Sequence, residues 1–223
     1  MAFNSMGKTT VFPPISQADD SGLLLIGGDL TSETLLDAYR NGIFPWPAVD
    51  RGSETLAWWS PDPRAIIELN ELYVSRRLGR RIRSGQFEIR VNRDFAGVIA
   101  SCAQRTSSDG VWITPAIQSA YQQLHELGYA HSVETWHDGH LVGGVYGVAI
   151  GGYFAGESMF YRMRDASKVA LVFLVQRLRE LGFQLFDIQQ WTPHTARLGA
   201  KLILRDEFIE RLENAVNLPV TFA

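Results

Sequence analysis

The sequence predicts an α+β fold in which a mixed, mostly antiparallel sheet is covered by helices and preceded by a small N-terminal domain. Three observations carry this reading. From Arg64 onward, strand-like runs of period two alternate with helical runs of period 3.6. Three strand-like segments, HSVETW, LVGGVYGVAI and GGYFAG, follow one another with only short turns between them. Pro61 and Pro63 punctuate the chain after a turn-rich opening, which divides it into residues 1–63 and 64–223.

The opening runs through FPP, GLLLIGGDL, GIFPW and WWSPDPR and holds one clear helix. Thr31 caps it, Leu35, Leu36 and Tyr39 form its buried stripe, and Gly42 lies past its end. One helix cannot sustain a core, so this segment must pack on the rest. AIIEL and FEIRV read as strands around an arginine-rich helix in SRRLGRRIRSG. Asp94 caps a helix carrying Phe95, Val98, Ile99 and Cys102. Thr114 and Pro115 open the next, with Ile117, Tyr121 and Leu124 on one face and a stop at Gly128. After the three strands, Ser167 begins SKVALVFLVQRLREL, which is apolar almost all round at its start, hence buried, and ends at Gly182. QLFDIQQW and LIL read as strands, and a last helix runs from Asp206 through Phe208, Ile209 and Leu212.

With 46% hydrophobic and 11% aromatic residues, the 223-residue chain can bury one good core, or one core and a small satellite. It has no apolar run that would cross a bilayer and no secretory signal at its start, so the expected address is cytoplasmic. The single cysteine, Cys102, excludes an internal disulfide and a thiolate zinc cluster. A net charge of -3 argues against indiscriminate nucleic-acid binding. Any polyanion must be held locally, and Arg76, Arg77, Arg80, Arg81 and Arg83 form the one segment able to do so, with Arg76, Arg80 and Arg83 on one helix face. The plainer alternative is a solvated helix face.

Polar residues in apolar surroundings mark the candidate chemistry. Asp187 and Gln189 alternate with Ile188 on a strand, so a period of two sends both side chains to one face, where they need partners or a polar substrate. Glu157 stands in GESMF at the end of a glycine-rich strand, where a carboxylate can orient an amine. Gly-x-Ser there is no nucleophile elbow, because Phe160 replaces the second glycine. His125, His131, His137 and His140 crowd together, but Tyr129 stands where a zincin needs its second histidine, so they read as structural or surface groups. GGVYGVAIGG lacks the strand-turn-helix setting of a phosphate loop and reads as a close-packed, bulged strand pair. Trp46, Trp58, Trp59 and Trp112 are either boundary packing or stacking platforms, and packing is preferred for Trp58 and Trp59.

In order, GLLLIGGDL, AYRNGIFPW, WWSPDPR, WIT, AHSVETW, LVGGVYGVAIGGYFAGESMF, ASK and HTARLGA resemble the leucyl/phenylalanyl-tRNA-protein transferases over nearly the whole chain. The resemblance implies a GNAT-like acyltransferase domain behind a small N-terminal domain. It implies transfer of leucine or phenylalanine from aminoacyl-tRNA to the N-terminal amine of proteins beginning with arginine or lysine, which tags them for degradation through the N-end rule. It makes Asp187 and Gln189 the catalytic pair and Glu157 an active-site acid. Trp46 and Trp112 would hold the terminal adenosine, and the Arg76 helix the acceptor stem. The aminoacyl pocket would be formed by Val145, Phe154, Met159, Leu171, Leu174 and Phe186. Ile188 replaces the usual cysteine and faces away, whereas Val145 and Leu174 replace bulkier residues and leave the leucine-to-phenylalanine preference open.

Aminolysis of an ester is downhill, so no cofactor or metal is expected. Gln189 would hold the ester or amine, and Asp187 would stabilise the developing ammonium. Methionine is expected as a weak third donor, because a methylene or two changes selectivity by only ~1–3 kcal/mol. The rivals are an acetyl-CoA-dependent N-acetyltransferase, whose pyrophosphate loop RELGFQ does not supply, and a non-catalytic RNA-binding module, which leaves Asp187, Gln189 and Glu157 unexplained.

Overall fold

The computed structural model describes residues 11–50, 53–104 and 113–223. The opening region holds β1 (Leu23–Ile26), α1 (Ser32–Arg40), β2 (Phe44–Asp50) and β3 (Ser53–Trp59). The Thr31 hydroxyl caps α1 by accepting from Thr34 N, and Leu35, Leu36 and Tyr39 are buried as the periodicity predicts. The three strands form their own antiparallel sheet in the order β1-β3-β2 and are missing from the sequence reading, which sees turns there. Proline explains the oversight. Pro45 and Pro47 pair with Trp58 and Leu56, and, being two apart on an edge strand, they share one side, so their missing N–H groups need cost no ladder bond.

The second sheet contains β4 (Arg64–Ile67), β5 (Glu88–Val91), β6 (Ala130–His137), β7 (His140–Ile150), β8 (Tyr153–Tyr161), β9 (Leu185–Gln189) and β10 (Ala200–Ile203). Its order is β10-β4-β9-β8-β7-β6-β5, and the one parallel pair in it is β8 with β9. That pair is joined through α5 (Ala166–Leu181), a crossover a parallel connection requires. The remaining helices are α2 (Arg76–Arg83), α3 (Phe95–Ala103), α4 (Pro115–Glu126), α6 (Pro193–Ala196) and α7 (Arg205–Val216). Asp94 and Thr114 cap α3 and α4 as expected, while the one-turn α6, closed by a Thr192–Thr195 capping box, is too short for periodicity to reveal. The fold is α+β with a mixed, mostly antiparallel sheet, as the alternation of patterns predicts.

Two apolar layers sandwich this sheet. One gathers Leu35, Tyr39, Phe44 and Trp58 from the opening region with Phe95, Tyr121, Tyr146 and Phe208, so the small sheet shares a core with the large one. The other packs α5 residues Leu171, Leu174 and Leu178 against Val145, Phe154, Phe186 and Phe222. Cys102 is buried.

Candidate active site

The site grows from two irregularities in neighbouring strands. On β8, Tyr146 pairs with Ser158 but Gly147 pairs with Gly156, so Glu157 is an extra, bulged residue whose side chain is re-aimed. Glycine is required opposite it, because a Cβ on Gly147 would overlap the Ala155 carbonyl. On β9, Ile66 of β4 pairs with Asp187 and Ala65 with Gln189, which leaves Ile188 as the extra residue, and Gln189 adopts a positive φ of 57°. The pairing of β8 with β9 covers Tyr153↔Leu185, Phe154↔Phe186 and Ala155↔Asp187 and then stops. Beyond it the strands splay, and Gln189 Nε2 donates across the opening to Glu157 Oε1 at 3.1 Å.

Asp187, with 0% exposure, holds four donors. Arg64 forks onto it through Nε at 2.9 Å and Nη2 at 2.7 Å, Tyr153 Oη donates at 2.8 Å, and the Gln189 N–H at 2.9 Å. The Arg64 guanidinium is itself clamped between the Phe44 and Phe208 rings, at 4.8 and 4.5 Å from their centroids, and its Nη1 donates to the Gly42 carbonyl at 3.0 Å. Both Asp187 oxygens thus accept from protein donors, and these contacts hold the carboxylate in place.

Glu157 has a different environment. Tyr121 Oη donates to Glu157 Oε2 at 3.0 Å, and the hydroxyls of Tyr121 and Tyr39 share a short hydrogen bond. Burial, then the charge of Glu157, keeps both phenols protonated well above their ordinary range. Burial pushes the Glu157 carboxyl up to about 7, against the opposing pull of the tyrosine hydroxyls. A carboxyl poised there can take and return a proton near neutral pH.

Asp187, Gln189 and Glu157, the trio that the sequence singles out, stand together in the structure, held by residues to which the sequence reading gives no site role. These are Arg64, Tyr39, Tyr121 and Tyr153, of which Tyr39 and Tyr121 are read from the sequence as core residues alone. A signal existed for Arg64, a charged residue opening the buried run AII, and for Tyr121, a phenol in an apolar stripe whose hydroxyl needs a partner.

The six residues expected to form an aminoacyl pocket come together in the layer under α5, on the other face of the sheet. Val145, Phe154, Leu171, Leu174 and Phe186 are buried against one another, and Met159 is half-buried at their rim. The polar trio and the apolar six meet at the splay, where Phe186 and Asp187 are neighbours and a Cβ on Gly156 would approach Phe186 to 2.9 Å. Trp46 is half-buried on β2, with its carbonyl accepting from Trp59 Nε1 at 2.9 Å, and Trp58 is fully buried. Trp112 lies outside the described residues. On α2, Arg76, Arg80 and Arg83 line one surface groove of about 650 Å³, as helical spacing predicts. Arg77 pairs with Asp165 at 3.0 Å, and Arg81 binds Gln86.

The histidines have structural posts. His131 accepts from Asn92 through Nδ1 and donates from Nε2 to the Gly128 carbonyl, while His125 Nδ1 donates to the Ala130 carbonyl at 2.7 Å. Among the described residues no cluster of His, Cys, Asp and Glu has the makings of a metal site, and no helix is long and apolar enough to cross a membrane.

A family model described as leucyl/phenylalanyl-tRNA protein transferase matches residues 66–213, and the model for that family's N-terminal domain matches residues 28–62. The leucyl/phenylalanyl-tRNA--protein transferase of Thiobacillus denitrificans is 53% identical over 215 residues, covering 95% of this chain and 93% of its own. That of Chromobacterium violaceum is 49% identical, covering 96% and 92%. Among solved structures, a GCN5-related N-acetyltransferase from Kribbella flavida aligns over 75% of this chain and 59% of that one at 15% identity and a TM-score of 0.41. L-PGS from Bacillus licheniformis aligns over 74% and 55%, at 15% identity and a TM-score of 0.40. On the family match and the identity across nearly its whole length, the chain belongs to the leucyl/phenylalanyl-tRNA protein transferase family.

Proposed function

We propose that this protein is a cytoplasmic aminoacyltransferase that moves leucine or phenylalanine, and weakly methionine, from aminoacyl-tRNA to the N-terminal amine of proteins beginning with arginine or lysine, tagging them for degradation. Its membership in the family supports the transfer from tRNA to protein. The observation that carries the chemistry is Glu157, poised at about 7 and hydrogen-bonded to Gln189 at the splay, beside an apolar cluster that would receive the aminoacyl side chain.

An α-amino group has a pKa of ~7.7–8.0, so a useful fraction is neutral at neutral pH and positioning matters more than base strength. The amine nitrogen attacks the ester carbonyl, and the new C–N bond leaves negative charge on the carbonyl oxygen. Gln189 Nε2, swung from Glu157 toward that oxygen, stabilises the charge. Glu157 accepts the proton released by the attacking nitrogen. When the C–O bond to the ribose breaks, the proton goes to the departing oxygen, which leaves as the tRNA hydroxyl, and the amide remains on the acceptor. Asp187 acts as a positioning residue, since its contact with the Gln189 N–H fixes the strained backbone that aims the amide.

The six apolar residues would open as the side chain enters, with Met159, unbranched and half-exposed, yielding first. Trp46 and Trp112 would hold the terminal adenosine, the α2 arginines the acceptor stem, and residues 1–63 would act as a small domain docked on the catalytic one. The test is direct. Labelled leucyl-tRNA is incubated with the purified protein and a peptide beginning with arginine, against one beginning with alanine. Label on the arginine peptide alone is expected; label on neither overturns the transfer, and equal label on both overturns the acceptor assignment.

A further inference from the structure

A cavity of about 690 Å³ lies between Met159 of the apolar cluster and Arg77 of α2, and its Tyr161, Arg164 and Lys168 have no role in the assignments above. It is lined by Arg77, Met159, Tyr161, Arg164, Ser167, Lys168 and His194, with Asp165 as its one acid. Asp165 is already taken by Arg77 at 3.0 Å. Arg164 and Lys168 therefore keep their charge for something else, because among the described residues neither meets a carboxylate. Tyr161 stands 66% exposed at the same place, and an aromatic face beside cations is the combination that holds single-stranded nucleic acid.

Position supports the same conclusion. Met159 is both a wall of this cavity and the rim of the apolar cluster, two residues beyond Glu157 on β8. At ~3.3 Å per residue, Tyr161 stands roughly 13 Å from Glu157 along the strand. On its far side the cavity reaches Arg77 of α2, whose Arg76, Arg80 and Arg83 line the next groove. Basic residues thus run from the rim of the apolar cluster to the arginine helix. An acceptor peptide beginning with arginine or lysine would be repelled along them, so they belong to the donor.

We infer that Arg164 and Lys168 bind the phosphodiester backbone of the single-stranded nucleotides adjoining the esterified end of the tRNA, with Tyr161 as a base platform; this rests on the aminoacyl-transfer reading above. The experiment compares kcat/KM for phenylalanyl-tRNA and for phenylalanyl-adenosine, which lacks those phosphates, over a salt series. In the Arg164→Gln/Lys168→Gln double variant the preference for tRNA over the adenosine ester should fall about tenfold. The slope of log kcat/KM for tRNA against log salt should become shallower by about 1.4, at about 0.7 for each single-strand phosphate that the variant no longer neutralises. Arg164→Lys should keep the wild-type slope. An unchanged preference or an unchanged slope in the double variant overturns the proposal. Wild-type protein that transfers from neither donor overturns the aminoacyl-transfer reading instead.

Discussion

Asp187 and Glu157 stand on neighbouring strands at the splay, yet the fold treats the two carboxylates in opposite ways. Asp187 on β9 meets a guanidinium and two neutral donors, which fill its oxygens and fix it in place. Glu157 on β8 meets the hydroxyls of Tyr39 and Tyr121 and the Gln189 amide, and burial drives its proton affinity up to about 7 against the pull of the two phenols. The Arg64 guanidinium forks onto Asp187 and fixes it, whereas Glu157 has neutral hydrogen-bond partners and desolvation raises its proton affinity.

The largest effect should follow from removing that titration. Glu157→Gln is expected to lower kcat by ~10²–10⁴-fold and to abolish the rise of activity through about pH 7, read from pH–rate profiles of transfer. The same variant should change stability in the other direction. The folded-state value lies above the ordinary 4.5, so the stability Glu157 contributes is present below that value and lost as pH rises through about 7. Glu157→Gln should therefore be more stable than wild type in urea at about pH 8, with the gap closing at about pH 4.

Breaking the other carboxylate's support should act mainly on the fold. Arg64→Met leaves Asp187 buried without its cation and is expected to cost ~3–5 kcal/mol in urea unfolding, while Arg64→Met combined with Asp187→Leu should recover much of that. Recovery of stability without recovery of transfer would separate the strut role from the chemistry. Gly147→Ala, which drives a methyl into the backbone opposite the bulge, should cost ~1–3 kcal/mol in thermal melts and lower kcat as Glu157 loses its aim. The smallest effect belongs to Tyr121→Phe. Losing a donor to the charged form pushes the Glu157 value higher, so transfer at neutral pH should fall ~3–10-fold and the rising limb should move to higher pH. A limb that stays where it is would remove Tyr121 from the account.

Much of this was legible along the chain. Caps at Thr31, Asp94 and Thr114 and buried stripes such as Leu35, Leu36 and Tyr39 are local matters, and the helices they predict are present. Glu157, Asp187 and Gln189 are legible because each is a polar group in apolar company. The strands of the opening region escaped because Pro45 and Pro47 mimic a loop, and only the edge position of β2 makes them compatible with a ladder.

Local order along the chain thus set the succession of elements, the core residues of each helix and the residue types able to do chemistry, because cap, period and turn depend on neighbours a few positions away. What those residues became was settled by long-range packing. Arg64 reaches Asp187 from 123 positions away, Tyr39 meets Tyr121 across 82, and a one-residue slip between β7 and β8 aims Glu157. Proton affinity and side-chain direction depend on which distant groups replace water, and no local pattern encodes that replacement.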